Sequence, residues 1–183
     1  MSYSLRIASV EDAALIGQLH VAGWQGAYGG IVKQDYLDSL SAETRAQNWE
    51  KWLPNPDIKV LIAEDENGEG AGFCAFGKLL TPVPGQSNIR PQYTAEVSAL
   101  YLLPHHYRKG AGKLLMQEAA KLLWADKHGG MALWVLVDNK RACAFYEALG
   151  GQRVGSKMIE VGGQNLKEAC YGWRDLRRLM PKP

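Results

Sequence analysis

Residues 94–113 read T-A-E-V-S-A-L-Y-L-L-P-H-H-Y-R-K-G-A-G-K, and the fold turns on how this stretch is parsed. Residues 94–103 are a continuous apolar run interrupted only by Glu96 and small hydroxyls, which is the composition of a strand covered on both faces and therefore central in a sheet. Pro104 ends it. Residues 111–124 then place Leu114, Leu115, Ala119, Leu122 and Leu123 along one helical face. Between strand and helix lie Arg108, Lys109, Gly110, Ala111, Gly112 and Lys113. Glycines at a helix start let backbone N–H groups approach a ligand, and the helix dipole favours negative charge there, so the segment suits a phosphate. A plain helix start accounts for the same letters. Neither the P-loop spacing nor the dinucleotide fingerprint is present.

Toward the C-terminus, M-A-L-W-V-L-V (131–137) predicts another buried strand, and D-N-K-R-A-C-A-F-Y-E-A-L-G-G (138–151) a helix closed by Gly150. Asn139 suits the N-cap of that helix. Phe145 points about 100° from Tyr146 and is expected in the core. Residues 152–173 predict two strands around the turn V-G-G-Q, followed by the basic run R-D-L-R-R-L-M-P-K-P. Toward the N-terminus, residues 81–93 carry Pro82, Pro84, Gly85 and Pro91 without periodicity, a long surface loop. Before it, K-V-L-I-A-E-D and A-G-F-C-A-F-G-K-L-L flank N-G-E-G as a hairpin. A first strand over residues 4–8 leads into S-V-E-D, a capping-box-like helix start, and the helical pattern runs to an interruption at Gly26, Gly29 and Gly30. Helical signal returns at residues 36–40 and after Ser41, ending at Pro54 and Pro56.

The chain has 183 residues, 46% of them hydrophobic and 22% charged, the proportions of one ordinary globular domain. A single domain over residues 1–183 is expected. Lys and Arg number 21 against 19 Asp and Glu, a formal net charge of +2. That balance lacks the basic footprint of phosphate-backbone binding, so no nucleic acid partner is expected. No apolar run approaches a membrane span, and none at the start suits a signal peptide. Cys74, Cys143 and Cys170 lack metal-ligand spacing and read as free thiols of a reducing compartment, with the cytoplasm fitting best. His105 and His106 are adjacent, and His20 and His128 have no ligand spacing, so no metal is expected.

The order strand, Y-R-K-G-A-G-K turn, helix, strand and N-K-R-A-C-A-F-Y-E-A-L-G (139–150) resembles the GNAT family of acyl-CoA-dependent N-acyltransferases. The opening L-R-I-A-S-V-E-D-A-A-L-I-G-Q-L-H-V-A-G-W (5–24) is similar to that family's first strand and helix, and the closing hairpin with Y-G-W to its last two strands. The resemblance implies an α/β fold: a mixed, mostly antiparallel sheet with a splayed central parallel strand pair, flanked by helices. It implies acetyl transfer from acetyl-CoA to a primary amine of a small molecule or protein through a ternary complex. A non-catalytic acyl-CoA-sensing or partner-binding domain of the same fold is the alternative, and a homodimer is compatible with either.

The resemblance also distributes roles. Leu100, Tyr101 and Leu102 would run along the pantetheine arm, with the Leu100 amide donating to the thioester oxygen. Arg108, Lys109, Gly110, Ala111, Gly112 and Lys113 would hold the pyrophosphate, and Asn139 would meet the pantetheine. Glu96 would be the general base, acting through a relay water, because an amine acceptor arrives as an ammonium. Tyr146 would protonate the departing thiolate. Trp24 and Tyr28, with the loop at 81–93, would meet the acceptor; core packing explains those two aromatics equally well. The family usually carries Gln or Arg three residues before the first glycine of the turn, and this chain carries Tyr107.

Overall fold

The computed structural model describes residues 2–181; Met1 and the last two residues of the basic C-terminal run lie outside the described residues. Strand β1 (Ser4–Ile7) leads through a 3-10 turn at Val10–Asp12 into helix α1 (Ala13–Tyr28). The Asp12 carboxylate accepts from the Ser9 N–H at 2.8 Å, so the predicted capping contact forms on the 3-10 turn ahead of the helix. Arg6 ties the corner together, donating to both Asp12 oxygens at 2.7 and 2.9 Å and to Glu64 at 2.6 Å. That fork holds the Asp12 carboxyl below its ordinary range.

Helices α2 (Gln34–Asp38) and α3 (Ala42–Trp52) follow, then β2 (Ile58–Glu64), β3 (Gly70–Lys78), β4 (Ala95–Leu102), α4 (Ala111–Ala125), β5 (Met131–Leu136), α5 (Lys140–Ala148), β6 (Gln152–Val161) and β7 (Gln164–Trp173). The strands form one mixed sheet in the order β1-β2-β3-β4-β5-β7-β6. It is mostly antiparallel, with β4 and β5 parallel over Ala95↔Met131, Glu96↔Ala132 and Val97↔Leu133. This is the predicted mixed architecture.

Two compact units divide the chain, one of residues up to Phe76 with Ala99–Met116, the other of Gly77–Ser98 with the chain from Gln117 on. In the first, Ala13, Ile16, Leu19, Trp49, Val60, Ile62, Phe73 and Ala75 make the buried core. Helix α1 does not break at Gly26 as the glycine pattern suggests. A methyl carbon there would lie 2.6 Å from the Pro104 ring and 3.1 Å from the Tyr107 hydroxyl, so the glycine admits close neighbours and the helix passes through it.

In the second unit, Val83, Tyr93, Ala132 and Cys170 form a buried cluster. The loop ahead of β4 is therefore anchored by Val83 and Tyr93 and is surface only in part. Helix α5 begins on Asn139, whose side-chain oxygen accepts from the Ala142 N–H at 3.1 Å, and ends on Gly150 at φ +82° with Gly151 N–H bonded to the Tyr146 carbonyl. The β6–β7 turn carries Gly162 and Gly163 at φ +56° and +70°, the primed-turn geometry expected of G-G.

At Gly17, helices α1 and α3 touch through backbone: an added methyl carbon would stand 2.5 Å from the Ala42 carbonyl oxygen and 2.8 Å from the Ala46 nitrogen. Gly17→Val forces the helices apart and is expected to cost about 1–3 kcal/mol, a fall in Tm of roughly 2–4 °C per kcal/mol. Gly29→Ala, where the closest atom lies at 3.4 Å, is the control with little change. Thermal unfolding followed by circular dichroism measures both.

Candidate active site

Strand β4 serves two settings. Ala95, Glu96 and Val97 are buried, while Ser98 is exposed and Ala99–Leu102 are half-buried. The expectation of a strand covered on both faces holds only for its first three residues. The physical reason is the ladder: parallel pairing stops at Val97↔Leu133, and β4 runs on without it.

The half-buried end leads through Pro104 into the turn. Arg108 and Gly110 both have positive φ, +60° and +97°, a conformation natural for glycine and unusual for arginine. The first turn of α4 closes with Leu114 N–H bonded to the Gly110 carbonyl, so the N–H groups of Ala111, Gly112 and Lys113 precede the intrahelical ladder. Arg108, Lys109 and Lys113 are exposed beside them. Tyr107, in the place of the usual Gln or Arg, turns its hydroxyl toward Gly26 of α1.

Trp24 and Tyr28 join neither solvent nor simple core. They belong, in the first unit, to an aromatic cluster that includes Tyr101, assigned from the sequence to the cofactor. The Tyr28 and Tyr101 hydroxyls are 3.2 Å apart. Trp24 meets Tyr28 edge-on at 4.9 Å and lies 6.4 Å from Tyr101 and 6.3 Å from Tyr36. Side chains alternate along a strand, so Tyr101 sends its ring into the cluster while Leu100 takes the other face. His20, buried, stacks on Tyr101 at 5.2 Å and accepts a hydrogen bond at Nδ1 from Trp49 Nε1 at 3.2 Å. Burial first, and the Arg45 charge second, push its imidazole down to about 3.

In the second unit, Glu96 is buried and accepts from the Thr81 N–H at 2.9 Å, so it also pins the start of the loop. Asn139 is buried, with its oxygen committed to the helix cap. Of the two neighbouring aromatics, Tyr146 is the buried one and Phe145 is half-buried, the reverse of the core assignment made from the helical wheel. The Tyr146 ring is set between Tyr171 at 6.1 Å and Trp173 at 6.2 Å. Tyr171 donates to Glu147 at 2.6 Å, and burial together with that carboxylate raises its phenol.

Residues 28–151 match the acetyltransferase (GNAT) family. The chain belongs to that family. A GNAT acetyltransferase is thus the activity class in its broad sense. The chain is 34% identical over 176 residues to an uncharacterized N-acetyltransferase of Bacillus subtilis, spanning 96% of this chain and 95% of that one. It is 27% identical over 153 residues to the spermidine N(1)-acetyltransferase of Thermoplasma acidophilum, covering 80% and 86%. The crystal structure of PaiA N-acetyltransferase from Thermoplasma acidophilum in complex with coenzyme A superposes with a TM-score of 0.65 at 25% identity, covering 92% of this chain and 98% of that one.

Two neighbours of Trp24 in the first unit, Tyr36 and Arg45, were not singled out by the sequence reading. The Arg45 guanidinium lies 5.5 Å above the Trp24 ring. Its signal was spacing, because Arg45 and Trp49 are four apart on α3 and share a face.

His20 makes stability depend on pH. Between about 6.5 and 3 the unfolded chain binds a proton on this imidazole that the folded chain refuses, so this group's contribution falls as pH falls. The slope is at most about 1.4 kcal/mol per pH unit. Urea unfolding at pH 7 and pH 5 is expected to show a loss about 2 kcal/mol smaller in His20→Gln than in the parent.

Proposed function

We propose that this GNAT chain moves the acetyl group of acetyl-CoA to a primary amine by direct attack in a ternary complex, with residues 1–183 acting as one catalytic domain. The observation that carries the reading is β4, which leaves its parallel ladder after Val97 and runs half-covered into a positive-φ turn and the start of α4. Backbone polar groups that leave a ladder need other partners. The pantetheine amides are such partners for Leu100–Leu102, and the turn amides with Arg108, Lys109 and Lys113 suit the pyrophosphate. The coenzyme A in the Thermoplasma acidophilum PaiA structure supports this cofactor class.

The amine nitrogen attacks the thioester carbon, the C–N bond forms and the C–S bond breaks. Glu96 takes the proton from the incoming ammonium through a water, since four strand residues separate it from Leu100, roughly 13 Å. The Leu100 amide donates to the oxygen as negative charge develops. Tyr146 gives its proton to the departing thiolate, because a phenol stays protonated at neutral pH while a free thiolate is basic enough to accept. Trp24 and Tyr28 meet the acceptor. A non-catalytic acyl-CoA-sensing role would use the same cofactor residues and would yield no product.

Acetyl transfer to a panel of primary amines, read as free thiol release, tests the activity. Glu96→Gln keeps an acceptor for Thr81 and is expected to lower kcat at least about 10²-fold, and Tyr146→Phe by about 10²-fold at unchanged acetyl-CoA affinity. Either variant within twofold of the parent removes that assignment. Gly110→Glu adds bulk and like charge in open space and is expected to weaken CoA binding more than about tenfold by calorimetry. Unchanged affinity in a folded Gly110→Glu protein overturns the cofactor placement.

A further inference from the structure

Two indole N–H groups, those of Trp24 and Trp134, are buried without an acceptor among the described residues. Each ring also carries a cation over its face: the Arg45 guanidinium at 5.5 Å from Trp24, and the Lys157 ammonium at 4.1 Å from Trp134. The two arrangements differ in one respect. Lys157 has a counter-ion, Glu168, at 3.5 Å. Arg45 is half-buried, and among the described residues it has no carboxylate partner. The nearby acidic side chains of α2 and α3, Asp35, Asp38, Glu43 and Glu50, are exposed, and Asp38 accepts from Gln34.

The Trp24 cluster therefore holds an unpaired guanidinium and an unmet N–H donor side by side. A carboxylate would satisfy both, and leaving the buried N–H unmet is costly in a low-dielectric setting. An open aromatic cage would favour a cation. Here the face of Trp24 is already covered by Arg45, and a polycation would meet like charge. We infer that the acceptor is an amino carboxylate, whose carboxylate is held by Arg45 and the Trp24 N–H while its amine reacts. The inference rests on the acetyl-transfer reading and narrows its acceptor. Tyr28, Tyr36 and Arg45, which pack around the indole, are only half-buried, and binding in this mode requires a rotamer change among the side chains there to expose the buried N–H to the carboxylate.

The experiment compares amino acids with their decarboxylated amines and with spermidine, as kcat/KM in the parent, Arg45→Met, Arg45→Lys and Trp24→Phe. The parent is expected to prefer each amino carboxylate over its decarboxylated amine and over spermidine by at least about tenfold. Arg45→Met is expected to narrow that ratio to below about threefold through KM, Arg45→Lys to restore part of it, and Trp24→Phe, which keeps a ring, to narrow it less than Arg45→Met. A parent that acetylates spermidine or the decarboxylated amines as well as the acids overturns the inference and leaves acetyl transfer standing. So does an Arg45→Met protein, folded by circular dichroism and binding acetyl-CoA as the parent does, that keeps the full preference. A parent that binds acetyl-CoA but acetylates no amine overturns both readings.

Discussion

Parallel pairing persists only while two strands keep both register and separation, and in this chain it lasts for three residue pairs. That limit divides β4 into a buried start, where Glu96 is fixed by Thr81, and a half-covered end whose alternation sends Tyr101 into the aromatic cluster. A ladder continued to Leu102 would occupy the backbone with neighbouring strand. Shortening it frees an extended edge in a protein whose strands β2, β3 and β5 are buried along most of their lengths.

The cluster at that end combines packing with polarity. His20 touches Trp24, Trp49, Phe73 and Tyr101, and its one shown hydrogen bond is made as an acceptor, which requires a neutral Nδ1. An imidazole held neutral can stack on a phenol and accept an indole proton without bringing a charge inside. Burial does most to hold that state, and the charge of Arg45, which rests on Trp24, adds to it. The geometry of α1 against α3 therefore sets the electrostatics of the cluster as well as its shape.

The order of elements was legible because apolar runs, glycines and prolines punctuate this chain strongly: β4, the turn, α4, β5 and α5 follow the patterns at 94–103, 107–113, 111–124, 131–137 and 139–150 closely. The exposure of β4 was not legible, since a run of apolar letters records what a strand tolerates and says nothing of where its neighbour departs. Gly26 looked like a helix breaker because its reason lies far along the chain, in Pro104 and Tyr107. Phe145 and Tyr146 exchanged places because the rotation of a three-turn helix is set by its cap at Asn139 and its exit under Trp173, which donates to the Leu149 carbonyl at 2.9 Å. Arg45 needed the pairing of two helices before its position over Trp24 had any meaning.

The loop before β4 has a consequence for how this scaffold can change. Gln86 bonds to the backbone of Tyr93 in both directions, accepting from its N–H at 2.7 Å and donating to its carbonyl at 3.1 Å, and Tyr93 is itself buried at 3% exposure against the backbone of Gly172. A side-chain amide thus closes the neck of the loop as a strand partner would. The segment beyond the neck is exposed, Ile89 to 90%. Additions, losses or exchanges between Ser87 and Pro91, outside that closure, are therefore expected to leave the packing of the core unchanged.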